Sequence, residues 1–154
     1  MQPKAIFFDL DDTIIAFEVV AELAWTKVCQ AFVERTGLFT ATALLNSINA
    51  TREWYWSDPE RHRAGRSNMA ATRRMLVKTA LEKLGCNEES YAIEIADHYS
   101  ELRTELIHVI PDAKETLARL NQRGILLALI TNGTVREQRG KLERFDLSKY
   151  FCWL

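Results

Sequence analysis

The stretch Ala5-Ile6-Phe7-Phe8-Asp9-Leu10-Asp11-Asp12-Thr13 constrains this chain more than any other. Its apolar first half reads as a short buried strand, and that strand runs into three carboxylates within four residues. Buried carboxylates are costly unless something neutralises them. In an open α/β sheet, the loop at the carboxyl end of a strand is where ligands bind. Alternation of side chains puts Asp9 and Asp11 on the same side of the chain as it leaves the strand. Two carboxylates so placed can divide the work, one as nucleophile and the other as proton donor.

A second run of this kind, Ile125 to Ile130, ends in Thr131-Asn132-Gly133. Its unbroken apolar character suits a parallel strand covered on both faces. Between the two runs the pattern is helical. Apolar Val20, Leu23, Ala24, Ala31 and Phe32 mark a helix over 19–35, stopped near Gly37. A second spans about 40–56, and Ser57-Asp58-Pro59 starts a third that runs unbroken to about Leu84. A fourth reaches from Glu88 or Glu89 to Ile107, and no strand is expected over 15–105. Beyond it, Pro111-Asp112 opens a helix closed by Gly124, and a last one covers 135–145, with a third strand starting at Phe151.

With 154 residues, 47% hydrophobic and 27% charged, the chain can bury one respectable core. A net charge of −1 gives no global attraction to nucleic acid or to an anionic membrane. The acidic motif begins too early for a basic-then-apolar leader, and the longest apolar run is too short for a bilayer, so the expected location is the cytoplasm. Cys29, Cys86 and Cys152 share no ligand-like spacing with one another or with the three histidines, which argues against a disulfide framework or a structural zinc site.

The Asp9-Leu10-Asp11-Asp12-Thr13 stretch resembles motif I of the haloacid dehalogenase (HAD) superfamily, and Leu127 to Gly133 looks like its motif II. Trp56 to Arg66 and Gln138 to Phe151 are similar to the helical-cap subfamily that includes N-acylneuraminate-9-phosphatase-like enzymes. The resemblance implies an α/β fold in which residues 1–14 and 106–154 form a partial Rossmann-like parallel-sheet core and 15–105 an inserted α-helical cap. It implies a phosphatase of small phosphorylated metabolites, working through an aspartyl-phosphate. Asp9 would be the nucleophile and Asp11 the general acid and base; Thr131, with Asn132 beside it, would bind phosphate. Mg²⁺ would be held by Asp9 and by the main-chain carbonyl of Asp11. Haloacid dehalogenation is the alternative chemistry on an Asp nucleophile, but it does not need Asp11. Asp12 has two readings, extra negative potential for the metal or a turn-stabilising residue, of which the turn is favoured.

Family members carry a phosphate-neutralising base and a further acidic metal motif beyond motif II; neither is recognisable over 133–154. The chain is therefore expected to correspond to the first two thirds of such an enzyme, with impaired activity or none. Its incomplete core would leave apolar surface bare and available for a homodimer. Lys141 lies ten residues past Thr131. At about 1.5 Å of rise per residue it would be roughly 15 Å along a helix, so it reads as a surface residue. In the cap, six basic residues against one acid over 59–78 face seven acids against two bases over 82–105. That pattern suits two complementary charged helix faces. Arg61, His62 and Arg66 are the candidates for contact with an anionic substrate.

Overall fold

A computed structural model describes residues 3–152. The chain forms two compact units, Met1–Val20 with Ile107–Leu154, and Ala21–Leu106. Among the described residues no helix is long and apolar enough to cross a membrane.

The first unit is built on two parallel strands, β1 (Ala5–Phe8) and, far along the sequence, β4 (Leu126–Leu129). Their register pairs Ala5 with Leu126 and Phe8 with Leu129, and Ile130 N–H continues the ladder to Phe8 C=O at 2.9 Å. Two strands that run parallel and end together bring the loops after Phe8 and after Leu129 to one sheet edge. The amphipathic helix α6 (Ala113–Gln122) packs on β4, with Leu117 fully buried. Gly124, at a φ of +73° that a side chain would resist, turns the chain from α6 back into β4.

Among the described residues one face of this sheet is largely bare, with Ala128 alone buried on it, contrary to the expectation for the Ile125–Ile130 run. Leu127 is 1% exposed, whereas Phe7, Leu126 and Ile130, all on the other face by alternation, are 66, 58 and 64% exposed. The third strand expected from Phe151 lies partly outside the described residues. At its start, Cys152 N–H donates to Leu127 C=O at 2.9 Å, on β4.

A short antiparallel pair departs from the sequence reading. Ile15–Ala16 (β2) pairs with His108–Val109 (β3), where nothing over 15–105 reads as strand. A two-residue strand is too brief to show periodicity. Its effect is to tie the segment following Asp11 and Asp12 to the one preceding α6.

The second unit is helical. It holds α2 (Ala41–Trp56), α3 (Pro59–Ser67), α4 (Met69–Lys83), α5 (Glu89–Leu106) and most of α1 (Glu18–Thr36). The buried stripe of α1 is Ala21, Ala24, Trp25, Val28, Cys29 and Phe32, a clean 3–4 spacing. Leu23 and Ala31, expected on it, point outward instead. Trp25 stacks on Tyr99 of α5 with ring centroids 3.7 Å apart. The helix expected to run unbroken over 59–84 is broken at Asn68, whose side chain caps α4 by accepting from Ala71 N–H. Asn competes with helical backbone for such bonds, so it favours a helix start over a helix interior. The charge pattern becomes pairing between α4 and α5: Arg74 grips Asp97 with two bonds and Lys78 approaches Glu89.

Candidate active site

Asp9 is the first residue past β1. It is exposed, and its Oδ1 accepts the amide hydrogen of Leu10 at 2.8 Å. The chain then folds sharply on the buried Leu10, whose carbonyl accepts from both Ile14 and Ile15 N–H. Asp12 stands at the corner with φ +56°. Its carboxylate accepts from Phe17 N–H at 2.9 Å and Glu18 N–H at 2.8 Å, capping α1 from outside the helix. That is the turn role expected for Asp12.

Asp11 turns toward the segment after β4. Its Oδ1 and Oδ2 lie 2.7 and 2.8 Å from the Lys141 ammonium, and Oδ2 also accepts from Gln138 Nε2 at 3.2 Å. Gln138 Nε2 donates as well to Thr131 Oγ1 at 2.7 Å. The structure thus joins Asp11 to Thr131 through one carboxamide. Asn132 follows in the same loop, exposed.

Lys141 corrects the sequence reading. It is not a surface residue: its side chain is 17% exposed, is paired with Asp11, and lies 4.8 Å from the Phe17 ring centroid. The axial distance of about 15 Å counts helical rise from Thr131, whereas the helix α7 (Val135–Arg144) starts at Val135, where the sequence also places it. Thr134 caps it by accepting from Glu137 N–H, and its hydroxyl donates to the Glu137 carboxylate, a side-chain pairing on the Thr-x-x-Glu pattern. From Val135, Lys141 is six residues along, about 9 Å, and helical side chains lean back toward the N-terminus. Gln138 and Lys141 are three apart and share one helix face. That spacing, within the helix read over 135–145, was the available signal for both.

Gln138 is 5% exposed, and its Oε1 is buried without a hydrogen-bond partner among the described residues. An unpaired buried amide oxygen costs about 1–3 kcal/mol. Gly133 makes the fit possible, since a Cβ there would lie 2.5 Å from Gln138 Nε2.

As a cation site, the residues offer hard oxygen donors: the second carboxylate oxygen of Asp9, and the Asp11 carbonyl, which the turn's backbone bonds bypass. No group of three or more acidic, His or Cys side chains suited to a metal occurs among the described residues. Mg²⁺ is commonly held by one or two carboxylates together with waters and substrate phosphate. The donor set fits that sparse mode.

Arg61, His62 and Arg66 lie on α3, in the helical unit. Arg61 stacks over Trp54 at 4.2 Å and donates to the carbonyls of Trp54 and Tyr55, closing the end of α2. His62 meets Trp56 edge-on. Arg66 is exposed.

The haloacid dehalogenase-like hydrolase family model matches residues 3–154. The chain is 30% identical to a phosphoglycolate phosphatase from Pseudomonas fluorescens, over 99% of this chain and 50% of that protein. It is 29% identical to a ribulose-1,5-bisphosphate 5-phosphatase from Halopiger xanaduensis, over 95% of this chain and 59% of that protein. It therefore spans about half the length of these curated relatives. Among solved structures, the HAD-hydrolase YfnB from Bacillus subtilis, crystallised with magnesium, matches with a TM-score of 0.65 at 18% identity, covering 99% of this chain and 64% of that one. That likeness bears on the fold alone. The site at the joined ends of β1 and β4, the α/β core and the family match agree: this chain belongs to the haloacid dehalogenase-like hydrolase family.

Proposed function

We propose that the protein hydrolyses phosphate monoesters of small metabolites, with Asp9 as nucleophile and Asp11 as proton donor and acceptor. The observation that carries this reading is the convergence, on Asp11, of Thr131's hydrogen-bond partner Gln138 and of the Lys141 ammonium, at the sheet edge where Asp9 leaves β1. A transferring phosphoryl group needs what these supply: an oxygen nucleophile, a hydroxyl donor, a cation and a proton relay.

In the first step an Asp9 carboxylate oxygen forms a bond to phosphorus as the bond to the ester oxygen breaks. Asp11, in its acid form, gives its proton to the departing alkoxide. In the second step Asp11 takes a proton from water as the water oxygen attacks phosphorus, which frees the Asp9 carboxylate and releases inorganic phosphate. Thr131 donates its hydroxyl hydrogen to a phosphoryl oxygen. Lys141 compensates negative charge, on Asp11 before substrate arrives and on phosphate afterwards. Asp9 and the Asp11 carbonyl are the residues that would hold Mg²⁺, which when bound compensates phosphoryl charge. Arg66 and His62 of the helical unit, with Arg61, are proposed to contribute to substrate choice.

The phosphatase names of the curated relatives support this reading. The test is turnover of p-nitrophenyl phosphate and of a panel of sugar and carboxylate phosphates with Mg²⁺, comparing wild type with Asp9→Asn. Turnover lost in Asp9→Asn is expected. Turnover that survives it, or halide release from a 2-haloacid without ester hydrolysis, would overturn the proposal.

A further inference from the structure

The phosphatase reading gives Asp11 and Thr131 their roles and leaves Gln138 without one; a role for Gln138 rests on that reading. A carboxamide NH₂ has two hydrogens, and both of those on Gln138 are directed into the site, one to Thr131 Oγ1 at 2.7 Å and one to Asp11 Oδ2 at 3.2 Å. The other end of the amide, Oε1, is buried with no partner among the described residues. Turning the amide over would not help, because it would set Oε1 against an Asp11 carboxylate oxygen with no hydrogen between them. Packing alone does not call for this residue. A Met of similar volume would fill the same nearly closed position without burying an unpaired oxygen.

A hydroxyl has one hydrogen to donate. When Gln138 donates to Thr131 Oγ1, it occupies an inward lone pair and leaves the hydroxyl hydrogen free to point elsewhere. The same NH₂ fixes one oxygen of Asp11, whose other partner, Lys141, sits on a flexible four-carbon stem. Gly133 is the counterpart that admits the amide, because a Cβ there would lie 2.6 Å from Gln138 Cδ.

We infer that Gln138 is a positioning residue for phosphoryl transfer: it presents the Thr131 hydroxyl hydrogen to the phosphoryl group and holds Asp11 in line with the leaving oxygen. Both effects act through hydrogen donation, not through shape.

The test uses Gln138→Met and Gln138→Glu in the full-length protein with Mg²⁺, on two esters. p-Nitrophenolate leaves as a weak base and needs little protonation, whereas the alkoxide of glycerol 2-phosphate needs the proton of Asp11. Gln138→Met is expected to lower kcat about tenfold on the aryl ester and about a hundredfold on the alkyl ester, the range over which supporting partners of reacting groups act, with KM little changed. Gln138→Glu should fall further on both esters, because its carboxylate takes the Thr131 hydrogen and repels Asp11. It also serves where Gln138→Met does not fold, since its alkyl-to-aryl ratio must drop as well. An unchanged ratio in the folded variants, or Gln138→Glu as active as Gln138→Met, would overturn this inference and leave the phosphatase reading standing. A wild type that hydrolyses neither ester would overturn that reading, and this inference with it.

Discussion

Lys141 grips both carboxylate oxygens of Asp11, at 2.7 and 2.8 Å, across 130 residues of sequence. The two side chains are 17 and 25% exposed, so the pair is neither solvent-screened nor fully dry. Lys141→Met should destabilise the protein by about 1–2 kcal/mol, between the values for exposed and buried pairs whose partner is removed. Adding Asp11→Asn should recover part of that loss, because the stranded charge goes with it. Urea titration of the two single variants and the double variant measures the coupling; strictly additive losses would show that the pair contributes nothing. Turnover should fall at least about a hundredfold in Lys141→Met, the usual effect of losing one preorganised charge partner.

Gly133→Ala should separate activity from stability. Its Cβ would meet the Nε2, Cδ and Cγ atoms of Gln138 at 2.5, 2.6 and 2.8 Å. Those atoms are the far end of a flexible side chain, so Gln138 moves instead of the backbone. The cost in stability should stay within about 1–2 kcal/mol, at the low end for overpacking. The bonds to Thr131 and Asp11 are lost, and kcat should fall as in Gln138→Met. A thermal melt together with an aryl-phosphate assay checks both, and a stable variant with undiminished kcat would be the contrary result.

The range of each signal decided what the sequence disclosed and what it hid. The strand running up to Asp9 and the Asp58-Pro59 start of α3 are written in adjacent residues, and both were legible. Asp12 was legible as a turn residue because short acidic side chains bond their own backbone neighbourhood. Lys141 was misread because helical rise was counted from Thr131, although the helix read over 135–145 begins four residues later and the loop before it folds back toward the site. Gln138 was missed because its role exists only once β1 and β4 lie side by side. Leu23 and Ala31 were misplaced because α1 carries apolar residues around much of its circumference, which leaves periodicity alone unable to choose the buried stripe.

Cys29 gives a pH signature on the helical unit. Burial pushes its thiol from 9.0 up to about 12. Between those values the native state keeps a proton that the unfolded chain releases, so folding stability falls as pH rises from about 9. The contribution is complete below that pH, and its slope is at most about 1.4 kcal/mol per pH unit. Cys29→Ala should be less stable at neutral pH yet flatter between pH 9 and 11 in urea titrations. Equal slopes for the two proteins would show that the thiol titrates alike in both states.

Asp12 distinguishes a turn residue from a metal ligand. Its carboxylate accepts from Phe17 and Glu18 N–H, and its φ is +56°, a region that Asp and Asn tolerate better than most residues. Asp12→Asn keeps the acceptor oxygen and the backbone tolerance, losing only the charge at the start of α1, so it should cost less than about 1 kcal/mol. Asp12→Ala loses the cap and resists the positive φ, and should cost about 2–3 kcal/mol from the two effects together. Asp12→Gly should fall between them, since it loses the cap but accepts the backbone. Its Oδ1 already accepts both amide hydrogens at the start of α1, and the residue is exposed. Mg²⁺ affinity of Asp12→Asn, by calorimetry, should therefore stay within about threefold of wild type, the effect of one screened charge. A loss of tenfold or more, with Asp12→Asn still folded, would place Asp12 on the metal and undo its assignment to the turn.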